Sequence, residues 1–213
     1  MDDTACDPVT LARTYTQFTA INTLFSQWAR LYRTELRPAL AAGATRVLDL
    51  GCGGGDVVRQ LANLAARDGF SVHFVGADPD PRAIAFAHAQ PSRANTTFVA
   101  TDAHMLAEAG ETFDLVLSNH VLHHLSDDDI RALCQDCQQL ARRQVIHNDL
   151  CRHDLAYILY PFVGLGFRRS FVAADGLRSI RRAFTAGELT ALCPSGWHVT
   201  TLAPFRLLLT WEA

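Results

Sequence analysis

Apolar residues recur at three- and four-residue spacing through Leu11, Tyr15, Phe18, Ile21, Leu24, Phe25, Trp28 and Leu31. That spacing predicts helix over residues 10–40, with Pro38 near its end. Beyond it, short apolar runs alternate with helical stretches. RVLDL (46–50), SVHFVGAD (71–78), TTFVATD (96–102), FDLVLSN (113–119) and QVIHND (144–149) read as strands. Between them lie a helix from Gly55 to about Asp68 that Gly69 closes, a helix over 81–90, and a short helical piece near Met105. Ser126 caps a further helix to about Ala141, with Asp127, Asp128 and Asp129 at its positive end.

Residues 150–182 break the alternation, first apolar and aromatic, then arginine-rich. Thr185 and Glu188 form a capping box for one more helix. WHVTTLAPF and RLLLTWE end the chain as two strands joined at Ala203-Pro204, a connection short enough for a hairpin and too short for a parallel crossover. The pattern predicts an α/β chain: a Rossmann-like, doubly wound, mostly parallel seven-stranded sheet with an antiparallel final strand. Helices pack on both faces, residues 1–42 form a helical cover, and residues 150–182 form an insertion over the substrate, all within one domain spanning 1–213.

Composition changes this picture little. A chain of 213 residues with 49% apolar and 19% charged residues is globular, and a net charge of −3 argues against a general nucleic-acid binder. The basic residues are all arginine, scattered along the chain. MDDTACDP does not read as a signal peptide. The apolar run within 155–171 is broken by Pro161, Gly164 and Gly166, too short to span a bilayer. Six cysteines without a secretory signal are expected as reduced thiols in the cytoplasm. Cys134-x-x-Cys137 lies in a predicted helix and lacks a second pair, and Cys151 and His153 stand beside His147 without a recognisable ligand spacing, so no metal is expected.

The chemistry concentrates in VLDLGCGGGD (47–56), where four glycines fall within five positions after a strand. Glycines there let backbone approach a ligand, whereas a tight strand-to-helix turn alone would need fewer. A dinucleotide is one candidate, but Asp56 stands where a pyrophosphate would meet the helix N-terminus, and Asp49 precedes the loop. A ligand with a cationic group and a ribose fits this setting better.

Val47 to Gly55 resembles the glycine motif of the class I S-adenosylmethionine-dependent methyltransferases. Further matches follow in the family's order over about 44–149. The resemblance implies S-adenosylmethionine as cofactor and assigns Asp49, Gly51, Cys52 and Gly53 to its loop. It assigns Asp78 and Pro79 to the ribose, Asp102 and Ala103 to the adenine, and Asn119 to the active-site wall. Asp78 could alternatively cap the following helix, and Asp102 could be an ordinary turn residue. SNHVLHHL, IHNDLCRHDLAY and DGLRSIRRAFTAGEL are similar to a branch related to quinone-biosynthesis enzymes and often encoded beside polyketide synthases in secondary metabolism.

That resemblance implies methyl transfer to an aromatic small molecule, phenol- or quinol-like, with oxygen slightly favoured over carbon. His120, His123 and His124 fall at i, i+3 and i+4, and His147 ends the fifth strand. A base near a phenol helps at neutral pH, so His123 is the first candidate, His147 the second, with His120 beside them. Any one of these histidines can equally be a hydrogen-bonded part of the fold. Tyr157, Tyr160, Phe162, Phe167 and Phe171 suggest an apolar pocket or ordinary packing. Arg168, Arg169, Arg178, Arg181 and Arg182 suit either an anion or a solvated face. Tyr15, Phe18, Asn22 and Trp28 are expected to close the cofactor site from above. The rival expectations are an NAD-dependent oxidoreductase and a non-catalytic cofactor-binding protein.

Overall fold

A computed structural model describes residues 6–164 and 171–213. The N-terminal region is α1 (Pro8–Phe25), α2 (Trp28–Leu31), a π-helical turn at Tyr32–Leu36, and α3 (Arg37–Ala41). Sequence periodicity predicts one helix here, but Gln27 adopts a left-handed φ of 58° and breaks it. The Gln27 amide donates to the carbonyl of Ala203 at 2.8 Å, which fixes the bend by a contact remote in sequence. The π turn sits just before Pro38, whose missing N–H cannot serve an α-helical carbonyl one turn back.

The alternating region follows as β1 (Arg46–Leu50), α4 (Asp56–Arg67), β2 (His73–Ala77), α5 (Pro81–Ala89), β3 (Thr96–Val99), α6 (Ala103–Glu108) and β4 (Phe113–Asn119). A 3-10 turn at Leu122–His124 leads into α7 (Asp127–Leu140) and β5 (Ala141–Leu150). The insertion carries α8 (Asp154–Gly164) and α9 (Val172–Arg182), and the chain ends with α10 (Ala186–Leu192), β6 (His198–Leu202) and β7 (Arg206–Glu212). β5 is longer than the sequence pattern predicts because its first residues pair around a register shift between Phe113 and Leu115.

The seven strands form one sheet in the order β3-β2-β1-β4-β5-β7-β6. The first five are parallel, and β7 runs antiparallel to both β5 and β6. Winding reverses between β1 and β4, so the crevice for a ligand lies at their carboxyl ends. Alternation divides the core: Val47, Leu115 and Ile146 face α2, α3 and α4, while Leu48, Val116 and Val145 face α7 and α10. Capping boxes at Ser126–Asp129 and Thr185–Glu188 start α7 and α10.

Candidate active site

β1 delivers the chain to the reversal point, and residues 51–55 turn it into α4. Gly51, Gly53 and Gly55 have φ of 66°, 52° and 74°, a region costly to residues with a Cβ. The protein itself fills the space beside two of them. A Cβ on Gly51 would lie 2.5 Å from the Val121 side chain, and one on Gly55 2.4 Å from the Phe98 ring. The glycine content is thus partly an internal packing requirement. Gly53 differs, since its nearest neighbour would be the Tyr15 ring at 4.0 Å.

Three carboxylates converge around this loop. Asp49 is buried on β1, and its Oδ1 has no hydrogen-bond partner among the described residues. Burial first, then the charges of Asp56 and Asp78, push its pKa well above the usual carboxylate range. Burial likewise raises Asp56 and Asp78. Asp78 accepts the Gly53 N–H at 2.8 Å and the Asp80 N–H at 2.9 Å, one on each oxygen, which leaves lone pairs for a ligand. The cap of α5 is Asp80, whose side chain accepts from Arg82 N, and Pro79 is exposed between them. Buried Cys52 donates its N–H to Ala77 O at 3.0 Å, tying the loop to the end of β2. Asp102 is exposed, caps α6 through Met105 N at 2.9 Å, and precedes the buried Ala103.

From the loop a chain of hydrogen bonds crosses to the far strands. Asn22 of α1 donates to Asp56 Oδ2 at 2.9 Å and accepts from Asn119 Nδ2 at 3.1 Å. Asn119 Oδ1 in turn accepts from Arg206 Nη2 at 3.1 Å. All three donors point toward Asp56, so the line is polarised from a cation to a carboxylate. Tyr15 packs on Phe86 with ring centroids 5.2 Å apart and borders the loop. Trp28 lies elsewhere, fully buried in the core.

The histidines separate. His123 is buried, and its Nδ1–H donates to Asp149 Oδ1 at 2.6 Å, while its backbone N–H donates to Asp149 Oδ2 at 3.1 Å. Burial alone would raise the Asp149 pKa, but the His123 contact and the Arg206 charge outweigh it and hold the carboxylate below its usual range. An ionised Asp149 fixes the proton on Nδ1 and leaves the lone pair on Nε2, an atom with no partner among the described residues. His120 stands with its ring centroid 6.0 Å from that of His123, in a left-handed conformation with φ of 61°. His147 is not with them. It points into the core, shares a hydrogen bond with Ser118 Oγ at 2.7 Å, and stacks on Trp197 at 5.6 Å. Burial pushes its pKa down to about 4. Position along β5 explains the split: Asp149 and His147 share one face, but only Asp149 reaches the strand end.

Sequence reasoning missed Arg206 and the partnership of Asp149 with His123. The signal for Asp149 is the polar run His147-Asn148-Asp149 closing a buried strand; that for Arg206 is one arginine opening an otherwise apolar strand. In the insertion, Tyr157 is partly exposed with the Arg181 guanidinium 5.4 Å above its ring, and Tyr160 donates to Val172 O at 2.8 Å. Phe171 N donates to Thr14 Oγ1 at 3.1 Å, joining the insertion to α1. Arg178 sits 3.6 Å from Asp175. Phe167, Arg168, Arg169 and the side chain of Phe162 lie outside the described residues. Among the described residues no cluster suits a metal ion, and no helix is long and apolar enough to cross a membrane.

Residues 47–144 match the protein-family model described as a methyltransferase domain. Residues in this chain are 44% identical over 99 positions to a ubiquinone biosynthesis O-methyltransferase of Rhizobium rhizogenes, covering 46% of this chain and 37% of that protein. A protein of the same description from Mesorhizobium japonicum is 36% identical over 118 residues, covering 54% and 44%. The match thus spans less than half the length of these curated relatives. Among solved structures, human N-acetylserotonin methyltransferase, in complex with SAM, superposes with a TM-score of 0.69 at 12% identity, covering 97% of this chain and 56% of that one. A plantazolicin methyltransferase in complex with SAH gives 0.61 at 14% identity, covering 96% and 95%. The chain thus matches the methyltransferase-domain model over residues 47–144, and its sheet order and superpositions show that it shares the fold of these methyltransferase structures.

Proposed function

We propose that this chain transfers a methyl group from S-adenosylmethionine to an oxygen of an aromatic small molecule. The observation that carries the reading is the unpartnered, buried oxygen of Asp49 beside Asp56 and Asp78. Burial and the neighbouring Asp56 and Asp78 disfavour charge on Asp49; a ligand bearing ammonium and sulfonium charge relieves this, whereas a diphosphate adds to it, which disfavours an NAD-dependent oxidoreductase. When bound, the cofactor supplies an electrophilic methyl. Asp78 accepts the ribose hydroxyls with the lone pairs that Gly53 and Asp80 leave free, and Asp102 accepts from the adenine amino group beside Ala103. Gly51, Cys52 and Gly53 line the loop, Pro79 flanks the ribose, and Asn119 walls the crevice.

His123 takes the proton from a phenolic hydroxyl on Nε2, and Asp149 holds the ring and stabilises the charge it acquires. The curated relatives are named for O-methylation in ubiquinone biosynthesis, which supports oxygen over carbon and a phenol- or quinol-like acceptor. Six free cysteines support a reducing compartment, the cytoplasm.

Two measurements test this. S-adenosylhomocysteine raises the melting temperature by mass action, and NADH does not. A screen of phenols and quinols with labelled S-adenosylmethionine then finds an acceptor that takes up label on oxygen. Stabilisation by NADH alone overturns the cofactor. Label that stays on the cofactor with every acceptor makes the chain a binding protein.

A further inference from the structure

Arg206 is the first residue of β7, and because β7 is antiparallel that first residue lies opposite Leu150, among the carboxyl ends of the parallel strands. It is 2% exposed and its guanidinium is held on every side. Nε donates to Asn148 Oδ1 at 2.9 Å, and Nη2 donates to Asn148 O at 3.2 Å and Asn119 Oδ1 at 3.1 Å. Nη1 lies 2.6 Å from His120 Nε2.

A guanidinium only donates, so His120 Nε2 must be the acceptor. His120 is then neutral, with its proton on Nδ1 and its Nε2 lone pair occupied. The backbone agrees, since His120 N donates to Asn148 O at 3.0 Å and holds the residue at its left-handed φ. His123 carries its proton on Nδ1 as well, toward Asp149, but its Nε2 lone pair has no partner among the described residues. Two neighbouring imidazoles therefore share a tautomer and differ in availability.

We propose that Arg206 is a positioning residue that locks His120 neutral and thereby leaves His123, of these two imidazoles, as the available base. The catalytic part of this rests on the methyl-transfer reading above; the locking of His120 does not. The groups facing His120 are Arg206 from β7, His123 and His124 from the turn after β4, and Asp149 from β5. Of these Asp149 alone favours a charged His120, and its Oδ1 is already engaged by His123. Burial, followed by the Arg206 charge, holds the His120 pKa well below the ordinary imidazole value. Burial lowers Arg206 itself only to about 10, with Asp149 opposing, so it stays charged at neutral pH. The arrangement replaces an imidazole charge that would come and go with pH by a permanent one. A His120 that titrated would change the field 6.0 Å from His123 across the working pH range.

The test uses the full chain labelled with nitrogen-15 in histidine, with the His120 signals assigned by their loss in His120→Gln. In the wild type the ring nitrogens of His120 report a neutral Nδ1–H imidazole throughout about pH 5 to 8. In Arg206→Gln, His120 acquires a titration that moves toward the ordinary value near 6.5. Arg206→Lys retains a cation and a donor and keeps His120 neutral. Wild-type His120 titrating in that range, or protonated on Nε2, overturns the proposal, and so does an unchanged His120 in Arg206→Gln. The wild-type titration decides even if a variant fails to fold. With an acceptor in hand, Arg206→Gln adds a second ionisation to the acid limb of kcat, and Arg206→Lys restores the single one. Because the nuclear readout needs no turnover, failure of this inference is separable from failure of the methyl-transfer assignment.

Discussion

Asp149 grips His123 twice, taking its ring N–H on one carboxylate oxygen and its backbone N–H on the other. Orientation and protonation of the imidazole are thus set by a single side chain. If His123 is the base, His123→Ala lowers kcat at neutral pH by roughly 10²–10⁴-fold and leaves cofactor affinity unchanged. Raising the pH recovers part of the loss as the phenol, with a pKa near 10, ionises unaided. Asp149→Asn falls between the two, because an amide can hold the ring but cannot stabilise its charge. A pH–rate profile of the three proteins checks this; a near-normal His123→Ala removes the base.

Asp78 joins the second strand to the glycine loop through Gly53. Asp78→Ala therefore weakens S-adenosylhomocysteine binding by roughly 1.5–3 kcal/mol, the scale of hydrogen bonds to a charged group. Calorimetry on protein with an intact circular dichroism spectrum measures it. Unchanged affinity takes Asp78 out of the site.

The loop glycines separate by what surrounds them. Gly55→Ala forces a methyl to within 2.4 Å of the Phe98 ring at φ of 74°, and is expected to destabilise the fold by about 2–4 kcal/mol. Gly53→Ala meets only Tyr15 at 4.0 Å, so its cost to the fold is strain alone, about 1 kcal/mol. Its larger effect is on cofactor affinity. Urea melts and calorimetry distinguish the two, and equal losses of stability contradict the assignment.

His147 couples stability to pH. Its folded pKa is about 4 against 6.5 unperturbed, so between those values the unfolded chain binds a proton that the folded chain does not. Its contribution is intact above about pH 6.5, is lost as the pH falls toward 4, and is worth about 3 kcal/mol in all. His147→Gln should flatten the profile of unfolding free energy over that window. Parallel profiles for wild type and variant would refute it.

Much of this was legible because it is local. Val47 to Gly55 carries its strand, its turn and its chemistry in nine consecutive residues, and the capping box of Thr185 and Glu188 can be read from four. What escaped depends on register. β5 is buried on both faces, so no alternation of polarity reveals that His147 faces Trp197 while Asp149 faces His123. The choice of Asp80 over Asp78 as the cap of α5 turns on a shift of two residues, and it frees Asp78 for the loop. The break at Gln27 comes from a bond to Ala203, which no helical periodicity can announce. Arg206 meets His120 only because the last strand pairs backwards with the fifth.

That backward pairing has a bearing on how such a site can diversify. Six of the seven strands contribute their carboxyl ends to this edge, and chemistry there hangs from loops that are free to change length and composition. Arg206 belongs to the scaffold instead, its backbone laced into ladders with Leu150 on one side and Leu202 on the other. A long side chain with much rotational freedom is anchored where the framework is stiffest. If residues 150–182 shape the acceptor site, they can be rewritten for a different acceptor while the fixed charge beside the histidines stays where it is.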